Sequence, residues 1–233
     1  MKTNYMPASI TLGLFFVLGM YIFGRHILEA RKSAQYVSVK GLAEQEVKSD
    51  QGSWIIAASN ADNDIESLKT NINRQLATIK QWLIEKGFSE NEFKVEELSI
   101  LENIYGQTQA RYTANLQISV STDKVDLLDA TSGLVNQLID RGVSLTGDRW
   151  LTRPRFFFTR INDVKPALLA DATKAALTSA KEFAENSGAK VGGIRQASQG
   201  IISLIPSNRV NDSEEFFLEK IARVVTSIDY YIE

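Results

Sequence analysis

After Lys2 the next charge is Arg25, so 22 consecutive residues, Thr3 to Gly24, carry none. No other stretch narrows the choices of this chain as far. As an α-helix rising about 1.5 Å per residue, the run reaches roughly 33 Å, enough for a hydrocarbon layer of about 30 Å. Its centre, Met6 to Phe23 (MPASITLGLFFVLGMYIF), is nearly all apolar. A cleaved signal peptide competes, but its apolar part is usually shorter, about 7 to 15 residues, and ends in small residues. Here the run closes on Tyr-Ile-Phe-Gly-Arg-His, with no A-x-A pattern. The expectation is an uncleaved, single-span anchor with its juxtamembrane segment over residues 1–32 and a globular domain over 33–233.

Orientation follows less directly. Lys2 stands on one side of the run, and Arg25, Arg31 and Lys32 stand on the other. The positive-inside rule taken alone keeps the C-terminal domain in the cytoplasm, but long domains translocate despite flanking charge.

Composition removes whole classes of chemistry. There is no cysteine, which excludes disulfides, thiolate metal sites and thiol nucleophiles. The one histidine, His26, lies beside the apolar run, leaving no histidine cluster for zinc and no Ser-His pair in the globular part. With 26 Lys and Arg against 28 Asp and Glu, the net charge of −2 argues against a chain built to neutralise nucleic acid. No cofactor or metal is expected.

Residues 36–233 alternate extended and helical patterns. Tyr36–Lys48 (YVSVKGLAEQEVK) and Trp54–Ser59 (WIIAAS), joined by Ser-Asp-Gln-Gly, read as a β-hairpin. Ile65, Leu68, Ile72, Leu76, Ile79 and Leu83 recur every three or four residues, one face of an amphipathic helix. Asn63 with Glu66 resembles a capping box, and Gly87 ends that helix. Phe93–Tyr105 and Tyr112–Ser121 form a second strand pair. A second helix runs from about Asp123 to Arg141, and Gly142 stops it. Val143–Arg160 reads as extended. A third, alanine-rich helix covers Asp163–Ser187 with Leu168, Ala172, Ala176, Ala180 and Phe183 on one face. Val191–Leu204 and Leu218–Ile232 close the chain as strands. The order ββα ββα β α ββ predicts an α+β fold, with antiparallel sheets and about three packed helices, preceded by the transmembrane helix.

Each helix ends in a similar phrase, LIEKGF, LIDRGV and AENSGA. An internal repeat gives that look, and so does a glycine C-cap leading into a strand. The stretch Ser187-Gly188-Ala189-Lys190-Val191-Gly192-Gly193 has the composition of a phosphate loop but the opposite order. Phosphate loops run from strand into helix, whereas this one leaves a helix C-terminus, where the dipole favours cations. Gly188 is expected as a left-handed cap and Gly192-Gly193 as a bulge or a close-packed strand entry.

Three stretches carry a resemblance: YVSVKGLAEQEVKSDQGSW, YTANLQISVSTDKVDLLDATSGLVNQLIDRGV and ALLADATKAALTSAKEFAENSGAKVGGIRQASQG. Over residues 36–233 the chain resembles the SIMPL-domain family of bacterial envelopes. The most specific part is the A-x-x-x-A-x-x-x-A helix leading into G-x-x-x-G-G. The resemblance implies a protein secreted into or anchored in the envelope, with a periplasmic domain. It also implies a link to oxidative-stress defence and assembly into ring-like or channel-like oligomers. It carries over no catalytic residue. The expected protein is a non-catalytic, single-pass inner-membrane protein whose partners are copies of itself and other envelope proteins.

Two patterns compete with that expectation. Arg149 to Arg160 (RWLTRPRFFFTR) interleaves arginines with aromatics, so Arg153, Arg155, Phe156, Phe158 and Arg160 form a candidate interface or ligand segment. Such a pattern can stack bases and hold phosphates, yet no RNP-type signature accompanies it, and an edge or interface strand explains it equally. The alternative function is a small-ligand or polyanion-binding module. Acidic pairs, Glu96 with Glu97, Asp126 with Asp129 and Glu214 with Glu215, leave open an enzyme whose carboxylates converge in the fold. Adjacent acids on helices and in polar loops are usually solvated.

Overall fold

A computed structural model describes residues 16–24, 35–103, 110–147 and 152–233. Residues 16–24 are helical. Among the described residues no helix is long and apolar enough to cross a membrane, since nine helical residues fall well short of the roughly 20 a span needs. The rest of the expected span, with its flanking charges, lies outside the described residues.

The fold is α+β with antiparallel sheets. In chain order the elements are β1 (Tyr36–Lys48), β2 (Gln51–Asp62), α1 (Ile65–Glu85), β3 (Phe93–Glu102), β4 (Tyr112–Thr122), α2 (Val125–Ser132), α3 (Asn136–Asp140), β5 (Arg155–Phe157), α4 (Ile161–Asn186), β6 (Val191–Gln199), β7 (Ser203–Pro206) and β8 (Glu219–Ile232). Short 3₁₀ turns precede β3 and β8. One sheet has the order β1-β8-β6 with β7 also on β8, and the other the order β3-β4-β2-β5.

The chain divides into two compact units. One takes Met1–Glu44, Lys165–Ser203 and Arg223–Glu233; the other takes Gln45–Val164 and Leu204–Ala222. In the first unit α4 turns Leu168, Ala172, Ala176, Ala180 and Ala184 inward. Val37, Ile228 and Tyr230 pack with Ala176 and Ala180. Alanine at every fourth position lets main chains approach. A Cβ at Gly41 would stand 1.8 Å from the Ala172 carbonyl oxygen. In the second unit α1 buries Leu68, Ile72, Ile79, Trp82 and Leu83 with Trp54, Ile56 and Ala58 of β2 and Ala114, Leu116, Ile118 and Val120 of β4. The strict alternation along β4 survives intact, buried on one face and partly solvated on the other.

Several expectations need correction. β1 and β2 are not a hairpin, because β2 pairs with β4 and β5 while β1 belongs to the sheet of β8. The second helix is two, α2 and α3, so among the described residues α1 to α4 follow the helical residues 16–24 where three helices were expected. The cap of α1 is Asp64, whose carboxylate accepts from the Ser67 N–H. Asn63 instead accepts the Arg111 N–H at 2.9 Å. Phe183 is 53% exposed and Ala184 takes its place inside. The buried stripe keeps its step of four from Leu168 through Ala184, and Phe183, one position short of that step, falls outside it. Of the described part of Val143–Arg160 only Arg155–Phe157 forms a strand, and Val191–Leu204 breaks into β6 and β7 at Gly200.

The three helix endings share one hydrogen-bond pattern. Phe88 bonds back to Leu83 and Gly87 to Ile84, Val143 to Leu138 and Gly142 to Ile139, Ala189 to Ala184 and Gly188 to Glu185. Each glycine has positive φ. This is the Schellman geometry, and it accounts for the recurring phrase without an internal repeat. The register between β6 and β8 shifts between Val191 and Ile194, so Gly192-Gly193 is a bulge as expected.

Candidate functional site

The arginine and aromatic segment folds back on its own unit. Arg153 meets Asp212 at 3.3 Å, with its guanidinium 4.1 Å from the centre of the Phe216 ring. Arg155 faces Glu215 at 3.8 Å, and Arg160 donates to Asp50 at 2.9 Å. Phe156 is buried in the core at 1% exposure, and Phe158 is half-buried. These arginines are therefore engaged with carboxylates, and Phe156 fills space between β2 and α2. Asp50 also accepts from the Thr159 N–H and hydroxyl. Burial pushes its carboxyl up, but these three donors outweigh it and hold it below its ordinary value.

The acidic pairs do not converge. Glu96 pairs with Lys94 at 2.8 Å and accepts from Ser119. Glu97 accepts from Ser99 at 2.6 Å. Asp126 pairs with Lys48 at 2.7 Å. The carbonyl of Glu214 accepts from Lys220, whose ammonium is buried and pushed down by that burial, partly offset by the Glu214 and Glu215 carboxylates. Among the described residues no group of three or more histidines, aspartates and glutamates is placed to hold a metal.

Glu92 is the strongest anchor among these acids. Its carboxylate meets Lys124 at 2.8 Å and accepts from the Ser89 N–H at 2.7 Å and from the Thr122 hydroxyl. Burial pushes it up, yet Lys124, Ser89 and Thr122 outweigh that and bring it down to about 2. A carboxyl depressed in the fold stabilises above its unfolded value and loses that contribution as pH falls. The loss should run from about pH 4.5 to about pH 2. Glu92→Gln is expected to cost about 1–2 kcal/mol at neutral pH and almost nothing at the acid end. Urea unfolding of both proteins across that range measures the difference.

Two features remain open to a partner. Strand β6 stands at the end of its sheet, and its residues from Gly193 to Gln199 are exposed on both faces. Ile194 is 55% exposed there, and Ile201 just beyond is 91% exposed. In the second unit a solvent-open cleft of about 420 Å³ is bounded by Trp54–Ala57 of β2, by Ser132, Gly133 and Val135, and by two loop stretches, Leu145–Gly147 and Thr152–Pro154. Of the candidate residues Arg153, Arg155, Phe156, Phe158 and Arg160, only Arg153 lines it. Sequence periodicity cannot reveal such a cleft, because its walls come from four separated stretches. The single local hint is Gly147 after Ser-Leu-Thr.

Antiparallel sheets, helices closed by Schellman glycines and an alanine-striped helix against β1 define the class, an α+β protein. Residues 37–217 match the SIMPL family, described as a protein of unknown function (DUF541). The chain belongs to that family. Two solved structures from Listeria innocua resemble it weakly. One is an uncharacterized conserved protein, 13% identical, covering 78% of this chain and 90% of its own, with a TM-score of 0.19. The other is a hydrolase, 11% identical, covering 82% and 91%, also at 0.19. At that score neither bears on activity. No curated protein matches the chain.

Proposed function

We propose that this chain is a membrane-anchored SIMPL-domain protein of the bacterial envelope, with its domain on the periplasmic side of the inner membrane. It acts without catalysis, by assembling with copies of itself and contacting other envelope proteins, in defence against oxidative or envelope stress. The uncharged run from Thr3 to Gly24 supports the anchor. The observation that carries the assembly is β6. A free sheet edge with an exposed isoleucine is a ready template for another strand, and natural proteins that stay monomeric usually blunt such edges with lysine or proline. Between Gly192 and Gly200 the only charge is Arg195.

Fractionation followed by mass measurement tests this reading. The full chain should pellet with membranes, need detergent for release, and then run as an oligomer by light scattering. Ile194→Lys together with Ala197→Lys should weaken self-association about tenfold or more with the melting temperature held. A chain released without detergent as a strict monomer at tens of micromolar would overturn it.

A further inference from the structure

Strand β6 presents its free edge in a definite pattern. At one end the Gly200 N–H donates to the Val225 carbonyl at 3.0 Å, and at the other Lys190 and Glu233 exchange both main-chain bonds. Near Gly200 the pairing with β8 is regular, with Ala197 opposite Ile228, Ser198 opposite Ser227 and Gln199 opposite Thr226. Hydrogen-bonded and non-hydrogen-bonded pairs alternate along an antiparallel ladder. Counting back from Gly200, Ser198 directs its N–H and carbonyl to β8, whereas Ala197 and Gln199 direct theirs out of the sheet. The count from Lys190, taken through the register shifts on either side of Ile194, gives the same assignment.

Arg195 does not guard this edge. Its guanidinium lies 3.9 Å from the centre of the Tyr36 ring in β1. β1 flanks β8 on the side away from β6, so the arginine reaches back over its own sheet. In the ladder Ile194 faces Tyr230 and Gln196 faces Asp229, which makes Arg195 the extra residue of a bulge. Ile194 and the exposed Ile201 therefore stand equally far from Ser198. Ala197 and Gln196 lie between on one side, Gln199 and Gly200 on the other.

We propose that β6 pairs antiparallel with β6 of a second copy of this chain, about a two-fold axis at Ser198. The proposal rests on the assembly reading and specifies its contact. Ala197 of each copy meets Gln199 of the other, each pair exchanging both its main-chain bonds, and Ile194 of each falls beside Ile201 of the other. Apolar matching and charge select this axis. One step toward Arg195, Ile194 would face Gln199, and the two arginines would stand about two steps apart, roughly 7 Å along the strand. That is inside the Debye length of about 8–10 Å. With the axis at Ser198 they stand about four steps apart, roughly 14 Å, where salt screens them. One step toward Gly200, the isoleucines would no longer meet. Using the same strand on both copies closes the contact, so it makes dimers, and any larger assembly needs a second surface.

The chain has no cysteine, so a single one reports the axis. Ser198 would meet its own copy in a non-hydrogen-bonded pair, with Cα atoms about 4.5 Å apart, within the reach of a disulfide. Gln196 and its copy would stand roughly 14 Å apart along the strand, beyond that reach. The full chain in detergent micelles, carrying Ser198→Cys or Gln196→Cys, is oxidised with copper phenanthroline, and covalent dimer is followed on non-reducing gels. Ser198→Cys should crosslink about tenfold faster or more. Ile201→Lys should weaken the dimer about tenfold or more by light scattering, because each dimer loses that contact twice. Suppose the two cysteine positions crosslink equally, or Ile201→Lys associates like the parent, while Ile194→Lys with Ala197→Lys still abolishes an oligomer. The axis at Ser198 is then overturned and the assembly reading stands. A parent chain that is a strict monomer overturns both.

Discussion

Gly41→Val is expected to destabilise the fold by about 3 kcal/mol or more, beyond the usual range for an added side chain in a packed interior. The reason is what the new carbon would meet. A Cβ at Gly41 lies 1.8 Å from the Ala172 carbonyl oxygen, 2.7 Å from the Ala176 nitrogen and 2.9 Å from the Ala172 carbonyl carbon, all main chain. Side chains can rotate away from an intruder, but a hydrogen-bonded helix backbone cannot, so the strand or α4 has to shift bodily. Ala172 and Ala176 are fully buried, leaving no slack on the helix side. A loss of this size is a large part of the 5–15 kcal/mol that typically separates folded from unfolded chains. Gly193→Ala serves as the contrast, because nothing lies within 4 Å of its Cβ position. It should change stability by no more than about 0.5 kcal/mol. Urea denaturation followed by far-UV circular dichroism reads both. A Gly41→Val protein as stable as the parent would mean that β1 and α4 do not approach as described.

Trp82→Ala should cost about 3–5 kcal/mol, the range for deleting a buried aromatic side chain. Trp82 has no solvent exposure and lies edge-on to Trp54, with ring centres 6.3 Å apart and planes at 62°. That geometry adds about 0.5–1.5 kcal/mol beyond the area buried. Its indole N–H also donates to Gln137 at 3.2 Å, tying α1 to α3. Trp82→Phe keeps most of the apolar contact and loses the hydrogen bond, so it should cost less than half as much. Thermal and urea unfolding of the two variants separate volume from hydrogen bonding. If they were equally destabilised, the Gln137 bond rather than packing would dominate.

Local chemistry made much of the fold legible. The three-and-four spacing from Leu68 to Leu83 marks a helix because 3.6 residues make a turn. The alternation from Ala114 to Val120 marks a strand because side chains alternate across a sheet. Gly87, Gly142 and Gly188 end helices because a left-handed residue is cheap only without a Cβ. Partners were less visible. β1 and β2 adjoin in sequence and read as a hairpin, yet each pairs elsewhere, because a strand's alternation says which face is buried and not which edge finds a neighbour. Asp64 rather than Asn63 caps α1 because Arg111, 48 residues away, claims the Asn63 side chain.

The candidate segment shows the same limit. Its arginines and aromatics were visible at once, but their roles depended on Asp50, Asp212 and Glu215, which no local pattern connects with them. Alone, the sequence determined the uncharged N-terminal run, the absence of cysteine chemistry, the α+β class and the alanine-striped helix that marks the family. These are properties of neighbours along the chain, set by periodicity, charge and backbone freedom. Only the tertiary structure decided that Gly41 lies against the main chain of α4 and that the arginines of residues 153–160 pair within their own unit. Those depend on residues brought together from far apart, where a contact is chosen by the packing of the whole unit.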